Sequence, residues 1–271
     1  MSCNDTWLFV PATRTDRIVK AVNSNASHII VDLEDAVSLD DKQLARDNIA
    51  QFDANHNIDY WLRINNDNQC EYNKDLALIP TLQHVLGVLL PKTSSYDEIV
   101  NLHSTTKLPV IAIIETATGW DNLDTIAAAK GLQALTYGRL DLANDLGLMA
   151  HAPAAERIFD CLRAKLIVKS ARHHLQPPIE SVFADFTNDE GLAGYAKCWQ
   201  QMGFSGQLCI HPRQVGVIQH SLAVDAEDLA FAQAVLQKYA QTKTAAFSVQ
   251  GKMVDLPVIE WAKKIVAHTT N

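Results

Sequence analysis

The sequence lacks the cysteine patterns of disulfide-rich and zinc-finger proteins. It has five cysteines, an odd number, and no two of them form a CxxC pair; they are Cys3, Cys70, Cys161, Cys198 and Cys209. A disulfide framework or a zinc knuckle is therefore not expected, and a reducing cytoplasm is the compartment that fits best.

Long apolar runs, basic blocks and several common catalytic motifs are also missing. No apolar stretch reaches the roughly 18 residues that a membrane span needs, and residues 1–5 show no signal-peptide pattern. Lys and Arg number 23 against 31 Asp and Glu, a net charge of -8, so neither nucleic acid nor an anionic membrane is an expected partner. The sequence has no Walker A, GxGxxG, HExxH or GxSxG motif, which argues against the chemistries that those motifs serve.

What the chain does contain is a regular alternation of strand-like and helical patterns. Apolar, β-rich runs predict eight strands, at 7–10, 28–32, 60–64, 85–90, 110–114, 134–137, 181–184 and 208–210. Helical patterns between them predict helices at 16–24, 39–52, 76–82, 96–103, 121–130, 154–174, 190–202 and 212–221. Eight such units within residues 1–222 favour an α/β fold, a TIM (β/α)8 barrel, over an open sheet. Thr15 and Asp40 are the expected N-caps of the first two helices.

The last part of the chain, residues 223–271, has a different pattern. Two helices are predicted, at 226–240 and 257–267, with a turn-rich stretch around Gly251 between them and no strong strand after Val249. We expect a C-terminal helical extension that packs on the barrel or on a neighbouring subunit.

Acidic residues follow several predicted strands, where the active sites of parallel α/β folds form. Glu115 and Asp141 come after consecutive strands, so both side chains are expected at the same rim. Mg²⁺ typically takes one or two protein carboxylates and keeps other positions for water and substrate oxygens. The pair is therefore our candidate metal site, although each residue alone is also a plausible cap of the following helix.

A second acidic group, Asp32, Glu34 and Asp35, follows the second strand. These carboxylates repel one another unless cations offset them, and they could support a metal through its waters or hold Arg63. Arg63 lies between apolar neighbours and is expected to point into the barrel, where it could bind a substrate carboxylate or a developing oxyanion. The alternatives are a solvated acidic loop and a structural ion pair.

Four further residues carry weaker signals. Arg14 and Lys20 follow the first strand and could hold phosphates, or be ordinary surface charges. His211 ends the last strand and could position a ligand, or be a buried histidine with its hydrogen bonds satisfied. Asp255, two residues before Pro257, is typical of a helix N-cap.

An ordered set of motifs over nearly the whole chain resembles the citrate lyase β-subunit-like branch of the HpcH/HpaI aldolase family. The matching stretches are Leu8-Phe9-Val10-Pro11 with Arg14 and Lys20, Asp32-Leu33-Glu34-Asp35-Ala36-Val37 with Lys42, Arg63-Ile64-Asn65, Leu90-Pro91-Lys92, Ile114-Glu115-Thr116-Ala117-Thr118-Gly119, Gly138 with Asp141-Leu142, Ile210-His211-Pro212 and Gly251-Lys252-Met253-Val254-Asp255.

The resemblance implies a TIM barrel with a C-terminal helical extension, assembled as a trimer or a multiple of it. It implies Mg²⁺ bound by Glu115 and Asp141, and reversible cleavage of a carbon–carbon bond in a 3-hydroxyacyl-CoA thioester. Arg63 would hold the keto-acid half, of the oxaloacetate, pyruvate or glyoxylate class, with support from Glu34 and Asp35. Arg14 would reach the CoA side, and Asp255 of a neighbouring subunit would exchange the enolate proton.

The sequence also departs from the family pattern. Gly138-Arg139-Leu140-Asp141 stands where the family often has Gly-Ala-Glu-Asp, so that a second acid is missing beside the metal site. Gln207 and Gln250 replace a common lysine and a common aspartate. These differences leave the substrate open.

Three functions are compatible with this pattern. The first is a lyase, or a synthase or hydrolysis-coupled form of it, that acts on a malyl-CoA- or citramalyl-CoA-like thioester. The second is the β-subunit of a multi-subunit citrate lyase that takes its thioester from an acyl-carrier protein. The third is a metabolite-binding or assembly protein without catalytic activity on the same scaffold, against which the presence of Arg63, Glu115 and Asp141 argues.

Overall fold

The computed structural model describes residues 4–66, 69–150, 152–244 and 246–269. The chain divides into two compact units, one ending at Ser221 and the other beginning at Leu222. Cys3 and most of the N-terminal segment considered above lie outside the described residues. In the part of the chain that is described, no helix is both long and apolar enough to span a bilayer.

The first unit is a ring of eight parallel strands, which confirms the predicted TIM barrel. The strands are β1 (Asp5–Pro11), β2 (His28–Asp32), β3 (Tyr60–Arg63), β4 (Val85–Leu90), β5 (Val110–Ile114), β6 (Leu132–Tyr137), β7 (Ile179–Glu180) and β8 (Gly206–Cys209). They are hydrogen-bonded in the order β6-β5-β4-β3-β2-β1-β8-β7. The Gln176 N–H donates to the Gln133 carbonyl at 2.9 Å, which joins β6 to the segment before β7. The sheet is therefore nearly closed.

Helices follow the strands around the barrel. They are α1 (Ile18–Val22), α2 (Lys42–Asn55), α3 (Gln69–Leu78), α4 (Tyr96–Thr106), α5 (Ala117–Asp121), α6 (Leu123–Ile126), α7 (Arg139–Asp145), α8 (Pro153–Arg172), α9 (Asp189–Met202) and α10 (Pro212–Ser221). Short 3₁₀ turns precede α1 and α2 and follow α3.

Alternation along the strands places one set of apolar side chains inside the barrel. Trp7 of β1 packs there against Trp61 of β3, with ring centroids 5.3 Å apart, and Ile30 of β2 lies in the same cluster. The neighbour Leu8 is buried on the opposite face, as the two-residue period of a strand requires. Gly87 makes room for the large indole, because a Cβ there would lie 2.3 Å from the Trp61 ring.

Three local predictions for this unit were wrong. Thr15 and Asp40 do not cap α1 and α2, because each lies inside a 3₁₀ turn that precedes its helix. The predicted strand 181–184 is displaced, since the strand itself is the two-residue β7. Its Glu180 is fully buried among polar partners, and a search for apolar runs overlooks such a residue.

The second unit has its own apolar core. It consists of α11 (Ala226–Thr242), the antiparallel strands β9 (Phe247–Val249) and β10 (Lys252–Val254), and α12 (Leu256–Thr269). The sequence analysis expected no strong strand after Val249, and the short strand β10 was not identified. Gln250 and Gly251 have φ of 49° and 77°, the left-handed pair that a tight two-residue hairpin turn requires. The buried residues of this core are Ala232, Val235, Val249, Val254, Ile259 and Ala262.

Candidate active site

The carboxyl ends of the strands surround a cavity of about 280 Å³, which we call the rim cavity. Its lining includes Asp35, Arg63, Glu115 and Asp141, four of the residues singled out from the sequence, together with Asp32. Parallel strands all end at one rim of a barrel, which brings together residues that lie up to about a hundred positions apart in the chain.

Arg63 is the last residue of β3 and enters the barrel as predicted, with its guanidinium carbon 4.7 Å from the centre of the Phe9 ring. Its Nε and Nη2 donate to the two carboxylate oxygens of Asp32 at 2.7 and 2.6 Å. Nη1 lies 3.1 Å from Glu34 and 3.8 Å from Asp35. Burial lowers the pKa of the guanidinium, but the three carboxylates raise it by more, so Arg63 stays charged.

Glu34 is 2% exposed and lies between two cations. Its Oε1 accepts a hydrogen bond from Lys92 Nζ at 2.5 Å, and its Oε2 faces Arg63. Burial raises the pKa of Glu34 to about 7, against the opposing effects of Arg63 and Lys92. Oε2 is also a buried oxygen without a hydrogen-bond donor aligned to it, although the Arg63 guanidinium is close.

Glu115 follows β5 and is also 2% exposed. Its Oε1 accepts the backbone N–H of Lys92 at 2.7 Å, and its Oε2 lies against the bare backbone of Gly138, where a Cβ would stand only 2.0 Å away. Burial and then the neighbouring Glu34 and Asp141 raise the pKa of Glu115 to about 8. The alternative that Glu115 caps a helix was wrong, because Thr116 is the N-cap of α5.

Asp141 lies in the first turn of α7, one step round the rim from Glu115. The carboxylates of Glu34 and Asp141 thus both act on Glu115, and Glu115 and Asp141 line the rim cavity. Their hard oxygen donors are those that Mg²⁺ prefers, and a divalent cation would relieve their repulsion. Among the described residues, no group of three or more His, Cys, Asp or Glu side chains has metal-binding geometry.

The buried side chain of Lys42 holds the backbone of the acidic loop in place. Lys42 Nζ donates to the carbonyls of Leu33 and Glu34 at 2.7 and 2.6 Å. Asn65 donates to the Leu33 carbonyl at 3.1 Å and to Asp75 at 2.7 Å. These bonds fix the backbone that carries Glu34, although Lys42 entered the sequence analysis only as part of a motif.

The residues with weaker signals lie further out. Arg14 pairs with Asp16 at 2.8 Å on the surface, and Lys20 is exposed on α1. His211 is exposed, so the interpretation as a buried histidine was wrong; its ring stacks on Phe186, and its Nδ1 accepts the Arg213 N–H at 3.1 Å.

Asp255 belongs to the second unit. Its carboxylate faces the backbone N–H of Val258 at 3.4 Å, and its carbonyl accepts the Ile259 N–H at 3.0 Å. Both contacts are those of a residue that starts a helix, as the sequence predicts.

Comparison with known proteins identifies the family. The model of the HpcH/HpaI aldolase/citrate lyase family matches residues 5–212, most of the chain. The chain belongs to this family. The match covers every strand of the barrel, with the rim residues from Asp32 to Asp141 inside it.

Two curated members of the family match almost end to end. The citrate lyase subunit beta-like protein of Mycobacterium tuberculosis is 31% identical, over 96% of this chain and 93% of that protein. The L-malyl-CoA/beta-methylmalyl-CoA lyase of Rhodobacter capsulatus is 29% identical, over 97% and 93%.

A solved structure of a family member agrees with the fold. The structure of the protein CitE from M. tuberculosis, in complex with magnesium, acetoacetate and coenzyme A, superposes with a TM-score of 0.85 and 28% identity. The match covers 99% of this chain and 98% of that chain.

The sequence analysis did not identify the individual contacts of two residues at the rim. Asp32 was grouped with its acidic neighbours, yet it is the two-point partner of Arg63. The register of the sheet, which places Asp32 opposite Arg63, was the signal that could have identified it. Lys92 was noticed only within the family motif, although its ammonium and its amide contact Glu34 and Glu115 respectively.

Proposed function

We propose that this protein is a Mg²⁺-dependent carbon–carbon lyase that cleaves, or forms, a 3-hydroxyacyl-CoA thioester of the malyl-CoA, citramalyl-CoA or citryl type. The observation that carries the proposal is the common cavity of Glu115, Asp141 and Arg63 in a member of the HpcH/HpaI aldolase/citrate lyase family. Relatives named malyl-CoA lyase and citramalyl-CoA lyase support the substrate class.

Glu115 and Asp141 would hold the ion. Glu115 directly follows β5, Asp141 lies in the first turn of α7, and both carboxylates line the rim cavity. Bound there, Mg²⁺ would supply Lewis-acid chelation of the substrate carboxylate and the adjacent oxygen. Solved structures of M. tuberculosis relatives in complex with magnesium support this choice of metal.

Arg63 would orient the keto-acid half of the substrate and stabilise negative charge on its carbonyl oxygen. Asp32 already occupies one edge of the guanidinium, so the Nη1 side near Glu34 and Asp35 is the part that a substrate would reach. Glu34 and Asp35 would keep Arg63 in place as charge develops.

In the cleavage direction, the bond between the carbon bearing the hydroxyl and the carbon next to the thioester breaks. The hydroxyl loses its proton and becomes the carbonyl of the keto acid, and the thioester enolate takes up one proton. Asp255 of a neighbouring subunit would deliver that proton. Arg14 and Lys20 would bind the phosphates of CoA, and His211 would position the thioester arm.

The proposal also includes an oligomeric state and a cellular compartment. Delivery of Asp255 from another chain requires an oligomer, and we propose a homotrimer or a multiple of it. Cys161, Cys198 and Cys209 are free cysteines, as suits the reducing cytoplasm that we propose as the setting.

A second candidate is the β-subunit of a citrate lyase complex that acts on an acyl-carrier-protein thioester. The similarity to a protein named citrate lyase subunit beta-like supports it. The two candidates differ in the carrier of the acyl group rather than in the chemistry at the rim cavity.

The test is a cleavage assay with purified protein, Mg²⁺ and a panel of malyl-, citramalyl- and citryl-CoA, with keto-acid release as the readout. We expect turnover that EDTA abolishes and Mg²⁺ restores, and a loss of at least a hundredfold in Asp141→Asn. Turnover with acyl-carrier-protein thioesters alone would favour the second candidate. No cleavage with either carrier would refute both and leave a non-catalytic binding protein.

A further inference from the structure

A second cavity, of about 230 Å³, opens between the loops that follow β6 and β7. We call it the side cavity. Its walls are mainly apolar or small, with an arginine and a tyrosine among them; the residues used below are Arg139, Leu140, Val182, Phe183, Ala184 and Tyr195.

The side cavity adjoins the rim cavity. Arg139, Leu140 and Val182 line both of them, and Asp141 follows Leu140 directly. Val182 also packs against the apolar interior of the barrel. A substrate group that reached the side cavity from the rim cavity would pass between Leu140 and Val182, which line both.

The polar groups of the side cavity are already engaged by the protein. Arg139 Nη2 donates to Glu156 at 2.7 Å and to the Ala150 carbonyl at 2.8 Å, and its guanidinium carbon lies 4.1 Å from the centre of the Phe159 ring. The Tyr195 hydroxyl donates to Glu180 at 2.5 Å. Because these groups hold one another, the walls are preformed, and the surface open to a ligand is largely that of Leu140, Val182, Phe183 and Ala184.

Charge decides which ligand suits the side cavity. Glu156 pairs with both Arg139 and Arg163. Arg163 also pairs with Asp160 and Glu180. Asp185 on the same wall and Asp141 beside the opening add negative charge. A carboxylate would be repelled there and would find both nearby arginines already paired. An uncharged alkyl group would displace water from apolar walls at no electrostatic cost.

We propose that the side cavity binds an alkyl substituent, ethyl or longer, on the carbonyl carbon of the 2-oxo acid half of the substrate. The inference rests on the proposed lyase function and narrows its substrate class. In the condensing direction, a C2 proton of acetyl-CoA is removed, C2 bonds to the keto carbon, and the keto oxygen gains a proton; the alkyl group on the keto carbon is unchanged. Oxaloacetate, whose substituent is anionic, is disfavoured.

The test measures the formation of hydroxyacyl-CoA by mass spectrometry, from acetyl-CoA, Mg²⁺ and each of five 2-oxo acids. These are glyoxylate, pyruvate, 2-oxobutyrate, 2-oxovalerate and oxaloacetate. We expect kcat/KM to rise about fourfold with each methylene from pyruvate to 2-oxovalerate, and oxaloacetate to fall below pyruvate. A preference for oxaloacetate, or equal values across the alkyl series, would overturn the proposal.

Ala184→Phe fills the side cavity from a position that does not itself line the rim cavity. We expect it to lower the ratio of the 2-oxovalerate and glyoxylate kcat/KM values at least tenfold. Ala54→Phe makes the same change at an exposed position of α2 and should leave this ratio within twofold of wild type. An unchanged ratio in Ala184→Phe would contradict the proposal.

A binding measurement keeps the two proposals separate. Calorimetric titration of the Mg²⁺-loaded protein should show tighter binding of 2-oxovalerate than of glyoxylate, and the difference should vanish in Ala184→Phe. If no 2-oxo acid gives product but this difference is present, the lyase function fails and the side-cavity proposal stands. If glyoxylate is turned over but the two acids bind alike, the lyase function stands and the side-cavity proposal fails.

Discussion

Two buried glutamates at neighbouring parts of the same barrel have opposite surroundings. Glu180, on β7, is 0% exposed. One of its carboxylate oxygens accepts hydrogen bonds from the hydroxyls of Tyr137 and Tyr195 and from the Ser181 N–H. Arg163 donates to the other oxygen at 3.0 Å. Glu115, after β5, is 2% exposed and accepts one backbone N–H while facing other carboxylates.

The comparison shows that the neighbours of a buried carboxylate, and not its burial alone, decide its role. A buried carboxylate surrounded by donors belongs to the scaffold, because its charge is compensated within the protein. A buried carboxylate that faces other carboxylates has an uncompensated charge until it binds a cation or a proton. On this basis we propose that Glu180 stabilises the β6–β7 junction and that Glu115 serves the chemistry of the rim.

The largest expected effect is on activity at Glu115. Glu115→Gln keeps the shape but removes a charged ligand of the proposed ion, and we expect kcat/KM to fall at least a thousandfold, about 4 kcal/mol. Glu190→Gln, the same change at an exposed position of α9, should keep full activity. Both are measured in the cleavage assay, and an active Glu115→Gln enzyme would remove the metal role of this residue.

The next largest effect is on stability at Glu180. Glu180→Ala leaves two tyrosine hydroxyls without their acceptor and removes the innermost carboxylate from Arg163, which keeps Glu156 and Asp160. We expect the free energy of unfolding to fall by about 3 kcal/mol, measured by urea denaturation. A loss below 1 kcal/mol would show that the network around Glu180 is not structural.

A smaller effect is expected on catalysis at Lys42, which holds the backbone of the acidic loop. Lys42→Met removes the donor to the Leu33 and Glu34 carbonyls. Because the loop then holds Arg63 poorly, we expect kcat to fall about thirtyfold. The KM for the thioester should change little. Lys42→Arg should restore part of kcat. Equal loss in both variants, or a change in KM alone, would mean that Lys42 does not position the loop.

The smallest effect is a pH dependence of stability in metal-free protein. Burial and neighbouring carboxylates raise the pKa of Glu115 to about 8 in the folded state, above its ordinary 4.5. The folded state then binds more protons than the unfolded state between these values, so this group costs stability as pH rises.

Glu115→Gln removes that cost. Without Mg²⁺ its melting temperature should match wild type near pH 4 and exceed it near pH 8.5, because the penalty is absent below the unfolded pKa and complete above the folded pKa. A melting temperature below wild type at pH 8.5 would mean that the Glu115 charge is already compensated within the protein.

The sequence predicted the barrel because alternation of period two and period 3.6 is strong in strands such as β2 and β5. It placed Arg63, Glu115 and Asp141 at one rim, since the topology of a parallel barrel fixes where strands end. It did not predict Asp32 as the partner of Arg63, which depends on sheet register.

The β7 segment and the side cavity were out of reach for a related reason. The apolar run 181–184 was taken as a strand, whereas the strand contains Glu180, and its burial depends on Tyr137, Tyr195 and Arg163 from three other elements. The hairpin of β9 and β10 was overlooked because its strands have three residues each, too short for a period to be counted.

The most direct test of the account is calorimetric titration of Mg²⁺ into EDTA-treated protein at pH 8, comparing wild type with Glu115→Gln and with Glu180→Gln. We predict one Mg²⁺ per chain in wild type and in folded Glu180→Gln, and at least hundredfold weaker binding in Glu115→Gln. Mg²⁺ binding of wild-type strength in Glu115→Gln would contradict the claim that this buried carboxylate is where the protein holds its ion.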